Sequence, residues 1–133
     1  MWRAEDVSSS MNKLLSKIHE KAVICRAFEE ECYRRVQGGE IKCPVYLSAG
    51  QEYIPCTIAV YCEEWGIKPQ VFIQHRGHST YLAFGGTPES LWERLQGIEG
   101  SASIQSDCIY GHDGMMGSQV PIAVGACYAN RKP

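Results

Sequence analysis

A short polar segment, His75-Arg76-Gly77-His78, brings one guanidinium and two imidazoles close together along the chain. The planar fork of arginine suits phosphate oxygens, and glycine allows the backbone to approach a ligand closely. The segment therefore favours an anionic ligand. A structural role is the alternative, in which Arg76 pairs with an acid and both histidines are satisfied inside the core.

A second candidate is the glycine-framed stretch 111–118, Gly-His-Asp-Gly-Met-Met-Gly-Ser, which leads into an apolar segment. Such a turn exposes backbone donors and acceptors to a ligand lying over it, and the helix start that follows favours negative charge. An ordinary glycine loop fits the same residues. His112 beside Asp113 suggests an acid–base pair or a metal site, but neighbours on a loop seldom point the same way and no further ligands accompany them.

Helices with clear sequence signals precede these two segments. Apolar residues recur every three or four positions along the first part of the chain, which predicts an amphipathic helix over 8–37, closed by a pair of glycines. A second helix is predicted to start near residues 51–52, because Pro55 is tolerated only in a first turn, and to end before Gly66.

The later elements alternate in the manner of an α/β protein. Residues 70–75 predict a buried strand, and polar residues at the end of a strand are where α/β folds bind ligands. Residues 87–89, Thr-Pro-Glu, predict a helix start, and that helix should end near Gly97. Residues 97–116 are interpreted as an irregular loop, and residues 118–129 as an apolar helix buried on nearly every side.

Composition excludes several classes of function. The chain has 13 basic and 15 acidic residues, so it lacks the electrostatic footprint of a protein that binds nucleic acid or an anionic membrane surface. Its seven cysteines form no C-x-x-C pair, which favours reduced, buried thiols over disulfides or zinc. The sequence contains no secretory signal and no long apolar run, so we expect a soluble, cytoplasmic protein. It also contains no Gly-x-Ser-x-Gly elbow, so we do not expect a serine hydrolase.

Five segments occur in the order and spacing of one known family. They are Phe28-Glu29-Glu30, Gly39-Glu40-Ile41, Leu47-Ser48-Ala49-Gly50-Gln51-Glu52, His75-Arg76-Gly77-His78 and the stretch from Gly114 to Ala126. Together they resemble the alpha subunit of thiamine-diphosphate-dependent 2-oxo acid dehydrogenases, including the pyruvate, branched-chain and acetoin types. The resemblance covers roughly residues 11–130.

The resemblance implies roles for five residues. His75 and Arg76 match the pair that contacts the cofactor diphosphate. Gly114 and Met116 match backbone contacts to the aminopyrimidine, and the side chain of Met116 would support the bent cofactor. His78 matches a histidine near the reacting carbons, where it would orient substrate or stabilise developing charge, and it is the predicted catalytic residue.

The sequence also departs from the family pattern. The family has histidine at the position of Tyr46 and tyrosine at the position of His75, and its longer Gly-Gly-Ser-Met-His loop is replaced by residues 100–110. These changes imply a different substrate or reaction. In the family, the segment matched by Ile122 to Ala129 is followed by a strand, a Gly-Asp-Gly motif and then an asparagine. Oxygens of the motif and of the asparagine ligate magnesium. These 133 residues do not include that part.

The resemblance therefore implies one partial domain over 1–133: the N-terminal part of a thiamine-diphosphate-binding fold, helix-rich, with a parallel sheet completed by a partner chain. The chain would hold thiamine diphosphate without a metal ligand of its own. A chain with the Gly-Asp-Gly motif would hold magnesium, and a beta-type subunit would supply the activating glutamate. The expected reaction is 2-oxo acid decarboxylation with acyl transfer, with no activity for the chain alone. The alternatives are transketolase-like transfer from a ketose, a non-catalytic assembly subunit and a truncated fragment.

Overall fold

The first helix, α1 (Ala4–Gln37), is the longest element of the computed structural model, which describes residues 4–97 and 106–131. Its end agrees with the predicted one, and it begins four residues earlier than predicted. Every third or fourth side chain lies in the core, as expected for one face of a helix, and these buried residues are Ile18, Ala22, Cys25, Phe28 and Cys32.

Two further helices pack against α1. The second, α2 (Tyr53–Glu64), has Pro55 in its first turn as predicted, and it buries Cys56 and Val60. The third, α3 (His78–Ala83), was not predicted; the sequence indicated only a polar segment at 75–78 following a strand. Five of its six residues are buried, so packing on α1 stabilises a helix that is too short to form alone.

A small parallel sheet lies beside the helices. Strand β1 (Val71–Gln74) pairs with β2 (Ile109–Asp113), with Ile73 opposite His112 and Gln74 opposite Asp113. The register shifts by one residue along the pair, and Gly111 lies in this irregular part of β2 with a φ of 92°. The prediction of an irregular loop is wrong for residues 109–113, and residues 98–105 of that loop lie outside the described residues.

The fourth helix, α4 (Pro88–Leu95), begins as predicted. The Thr87 hydroxyl accepts a hydrogen bond from the Ser90 amide at 3.3 Å, which caps the helix. The last helix, α5 (Gln119–Ala129), is present, but the prediction that it is buried on nearly every side is wrong for this chain by itself. Val120 and Val124 are each 63% exposed, and the main contact of α5 within the described residues is with β1.

The architecture is therefore α/β in a general sense, rich in helix, with a two-stranded parallel sheet. All seven cysteines are free thiols, and four of them are buried. No helix within residues 4–97 and 106–131 combines the length and the apolar character needed to cross a bilayer.

Candidate functional site

A cavity of about 230 Å³ lies where both strands end. His75 follows β1 directly and Gly114 follows β2 directly, and the strands are parallel, so both residues are at the carboxyl edge of the sheet. Crevices at this edge are the usual binding sites of α/β proteins. The cavity is lined by Cys43, Pro44, Val45, Tyr46, His75, His78, Leu91, Arg94, Leu95 and Gly114.

The lining combines apolar walls with cationic and titratable basic groups. Leu91 and Leu95 of α4 form an aliphatic wall, while Arg94 and two imidazoles supply the polar groups. No carboxylate from the described part of the chain lines the cavity. This arrangement suits a ligand that has an apolar or flat body and an anionic group.

His75 lies against Tyr46, whose ring meets the imidazole edge-on with centroids 4.8 Å apart. Nδ1 of His75 is buried and has no hydrogen-bond partner among residues 4–97 and 106–131. A buried polar atom without a partner is unfavourable, and a ligand in the adjoining cavity is one way to satisfy it.

His78 starts α3 and is 5% exposed. Its Nδ1 lies 3.3 Å from Oε1 of Glu29, which is buried in α1, and its ring packs edge-on against Phe28 with centroids 5.5 Å apart. Glu29 accepts a hydrogen bond from Ser48. The predicted catalytic histidine is therefore held between a core acid and the cavity wall.

Glu29 is a candidate functional residue that the sequence analysis missed, apart from its place in a family segment. A signal was available, because Glu29 continues the buried stripe of Cys25, Phe28 and Cys32 at helical spacing. An acid on an apolar helix face needs a specific partner, which is what Ser48 and His78 provide.

The other predicted residues lie outside the cavity. Arg76 is exposed, and no ion pair joins it to an acid in the described part of the chain. Met116 is 79% exposed in the turn before α5. That turn is tied to β1, since the Met115 carbonyl accepts hydrogen bonds from Gln74 Nε2 at 3.4 Å and from Ser118 Oγ at 2.9 Å.

Gly77 has a different reason for its identity than the one expected from the sequence. A Cβ at this position would lie 2.7 Å from Ile73 Cδ1 and 3.2 Å from the Gln74 carbonyl oxygen. A side chain at position 77 would therefore crowd the preceding strand, and this disfavours larger residues independently of any ligand.

Metal ligands are a separate question. Within the described ranges, no three or more His, Cys, Asp or Glu side chains lie close enough together to hold a metal ion. The side chains of His112 and Asp113, neighbours that suggest an acid–base pair or metal site in the sequence, lie outside the described part of the structure. Comparison of the chain with models of known protein families and with curated proteins gives no match.

Proposed function

We propose that this chain is a subunit of a thiamine-diphosphate-dependent enzyme that decarboxylates a 2-oxo acid and transfers the acyl group. In this proposal its fold is the N-terminal part of a thiamine-diphosphate-binding fold. One observation carries the proposal: His75, His78 and Gly114, which local chemistry and family resemblance both selected, gather around one cavity at the carboxyl edge of a parallel sheet.

The chemistry of the cavity fits one part of this cofactor. Its basic groups suit a diphosphate, its aliphatic wall suits an aromatic ring, and the unpartnered Nδ1 of His75 can donate to or accept from a ligand. About 230 Å³ is less than the roughly 300–1,000 Å³ of pockets that enclose a whole ligand of cofactor size. The remainder of the site would then come from polypeptide outside these residues.

The positions that depart from the family pattern also support the proposal. Tyr46 and His75 stand where the family has histidine and tyrosine respectively, and their rings are in contact. The two departures thus form one exchange, which keeps a phenol and an imidazole paired at the cavity wall. A coupled exchange changes the arrangement of donors facing the substrate while it leaves the volume of the pair nearly unchanged.

Each of the five predicted site residues has a role in the proposal. The bound cofactor supplies the carbanion chemistry on the 2-oxo acid. His75 would bind the diphosphate from the cavity wall and Arg76 from outside it, the backbone at Gly114 and Met116 would orient the aminopyrimidine, and His78 would face the reacting group. Magnesium ligands come from a chain with the Gly-Asp-Gly motif, and a beta-type subunit supplies the activating glutamate. The free cysteines favour a reducing compartment such as the cytoplasm.

The test is purification of the tagged full chain with its native partners. Bound cofactor is identified by oxidising thiamine to fluorescent thiochrome, and the complex is assayed with 2-oxo acids. We expect retained thiamine diphosphate, which a Gly114→Ala variant lowers several-fold, because the new Cβ projects into the open space where a ligand would approach the backbone. Gly38→Ala, at the end of α1 and outside the cavity lining, is the matched control.

Two other outcomes have defined meanings. Turnover of a ketose donor in place of 2-oxo acids would identify a transketolase-like enzyme. A complex that holds every partner chain but retains no thiamine diphosphate would contradict the proposal and leave a non-catalytic assembly subunit, a function that the exposed apolar side chains of α5 favour.

A further inference from the structure

Glu29 is an acid in the hydrophobic core, where a carboxylate requires specific partners. Its side chain is 0% exposed; Oε1 accepts a hydrogen bond from Ser48 Oγ, while Oε2 has no partner within the described residues. Ser79 of α3 supports Ser48 with 2.8 Å between the hydroxyl oxygens. Because the single hydroxyl proton of Ser48 goes to Glu29, Ser79 donates in this second contact. Ser48 therefore acts as the donor to Glu29, and Ser79 supports Ser48 in that role.

The imidazole of His78 lies against this acceptor. Nδ1 is 3.3 Å from Glu29 Oε1, within ion-pair distance but without hydrogen-bond geometry, and it has no hydrogen-bond partner within residues 4–97 and 106–131. The edge-on contact with the Phe28 ring restricts rotation of the imidazole. Two buried polar groups, each short of a partner, thus meet at one place in the core.

A neutral imidazole carries its proton on one of its two nitrogens, and the surroundings decide which one. A proton on Nδ1 places the positive end of an N–H bond next to the carboxylate, whereas a proton on Nε2 leaves the Nδ1 lone pair facing carboxylate oxygens, which repel it. We propose that Glu29 is a positioning residue: its buried carboxylate keeps the proton of His78 on Nδ1 and so presents Nε2 to the cavity as a proton acceptor.

The position of this proton decides how His78 can interact with a ligand in the cavity. His78 lines the cavity, so an unprotonated Nε2 can accept a hydrogen bond or a proton from a bound ligand. This use of Nε2 rests on the proposed function. The position of the proton does not, because it follows from contacts inside the chain alone.

The experiment is long-range ¹H–¹⁵N correlation spectroscopy of the ¹⁵N-labelled full chain without ligand. Spectra are recorded over a pH series, and the comparison uses the neutral imidazole, in which one ring nitrogen carries the proton and the other does not. The His78 signals are those lost in a His78→Asn variant. We expect a protonated, pyrrole-type Nδ1 and an unprotonated, pyridine-type Nε2. The reverse pattern would overturn the proposal.

The cause is tested with Glu29→Met, which replaces the carboxylate by an apolar side chain of similar size. The proton should move toward Nε2 in this variant, while the matched change at the exposed neighbour, Glu30→Met, leaves the spectrum of His78 unchanged. An unchanged pattern in folded Glu29→Met would overturn the proposal, and if that variant does not fold, the wild-type spectrum still decides. Failure to bind thiamine diphosphate would contradict only the proposed function, since no cofactor is used here.

Discussion

Arg26 and Glu52 connect α1 to the turn before α2 through a two-pronged ion pair. Arg26 Nε lies 2.5 Å from Glu52 Oε1, and its terminal nitrogen donates to Oε2 at 3.1 Å. The buried carboxylate also accepts from the Gly50 amide, at 2.9 and 3.0 Å to its two oxygens. The same turn carries Ser48, so this ion pair helps to place the hydroxyl that donates to Glu29.

Glu52→Gln should destabilise the chain by about 1–3 kcal/mol at neutral pH, because hydrogen bonds to a buried charged acceptor are lost. The hydrogen bond from Arg26 lowers the pKa of Glu52 from 4.5 to about 2. A lowered acid pKa stabilises the fold above the unfolded value, and this stabilisation is lost as the pH falls. The difference between wild type and variant should therefore shrink from pH 4.5 toward about 2. Urea unfolding across that interval measures it.

The control for Glu52 is Glu64→Gln, which removes an exposed ion pair with Lys17. Exposed pairs contribute little, so we expect almost no change at any pH. Equal losses in the two variants would show that burial of Glu52 does not strengthen its ion pair.

Gly86→Ala should destabilise the chain by about 1–3 kcal/mol, the usual cost of overpacking a core. The new Cβ would lie 2.1 Å from Cε1 of the buried Tyr81 ring, so the ring or the backbone must move. Gly114→Ala is the matched control, because its Cβ meets no atom within 4 Å. Thermal unfolding of both variants tests the prediction, and similar melting temperatures would contradict it.

The exposed face of α5 should make the isolated chain bind hydrophobic dyes or self-associate. Val120 and Val124 lie one turn apart on this helix, each 63% exposed. Replacing both by lysine should reduce dye fluorescence and self-association without lowering the melting temperature. Asn12→Lys, which adds positive charge on α1, serves as the control. Undiminished dye binding in the double variant would show that apolar side chains outside this face of α5 bind the dye.

Thiol reactivity should separate Cys127 from the core cysteines. Burial raises the pKa of both Cys25 and Cys32 to about 12, so neither forms the reactive thiolate at neutral pH, whereas Cys127 is exposed. Alkylation followed by intact-mass analysis should label Cys127 first, and Cys25 and Cys32 only after denaturation. Cys127→Ser should remove the fast site, and rapid labelling of Cys25 in the native chain would contradict the prediction.

Local signals explain which elements could be predicted from the sequence. The periodicity of α1 and the cap at Thr87 depend on neighbouring residues only, and both are present in the structure. Strand β2 has a positive-φ glycine at its centre and no alternating pattern, so its conformation depends on pairing with β1. Likewise α3 is held by packing on α1, which no window of sequence contains.

The candidate site, too, has parts that could be predicted from the sequence and parts that could not. Chemistry and family resemblance selected His75, His78 and Gly114, but only the parallel pairing of the strands brings them to one cavity. Arg76 belongs to the same segment and still points to solvent, since adjacent residues face different directions. The burial of Glu29 could be predicted from its place on the apolar face of α1, but its pairing with His78 could not, since the two residues lie far apart in sequence.

The crowding at Gly77 has a consequence for protein engineering. A side chain at this position would crowd Ile73 and the Gln74 carbonyl, so the residue between the two imidazoles is a poor place for substitutions. Libraries aimed at new ligands should instead vary Tyr46 and Leu95, whose side chains face the cavity from outside this segment. Gly77 would then stay unchanged between His75 and His78 while the selectivity of the pocket is altered around the two imidazoles.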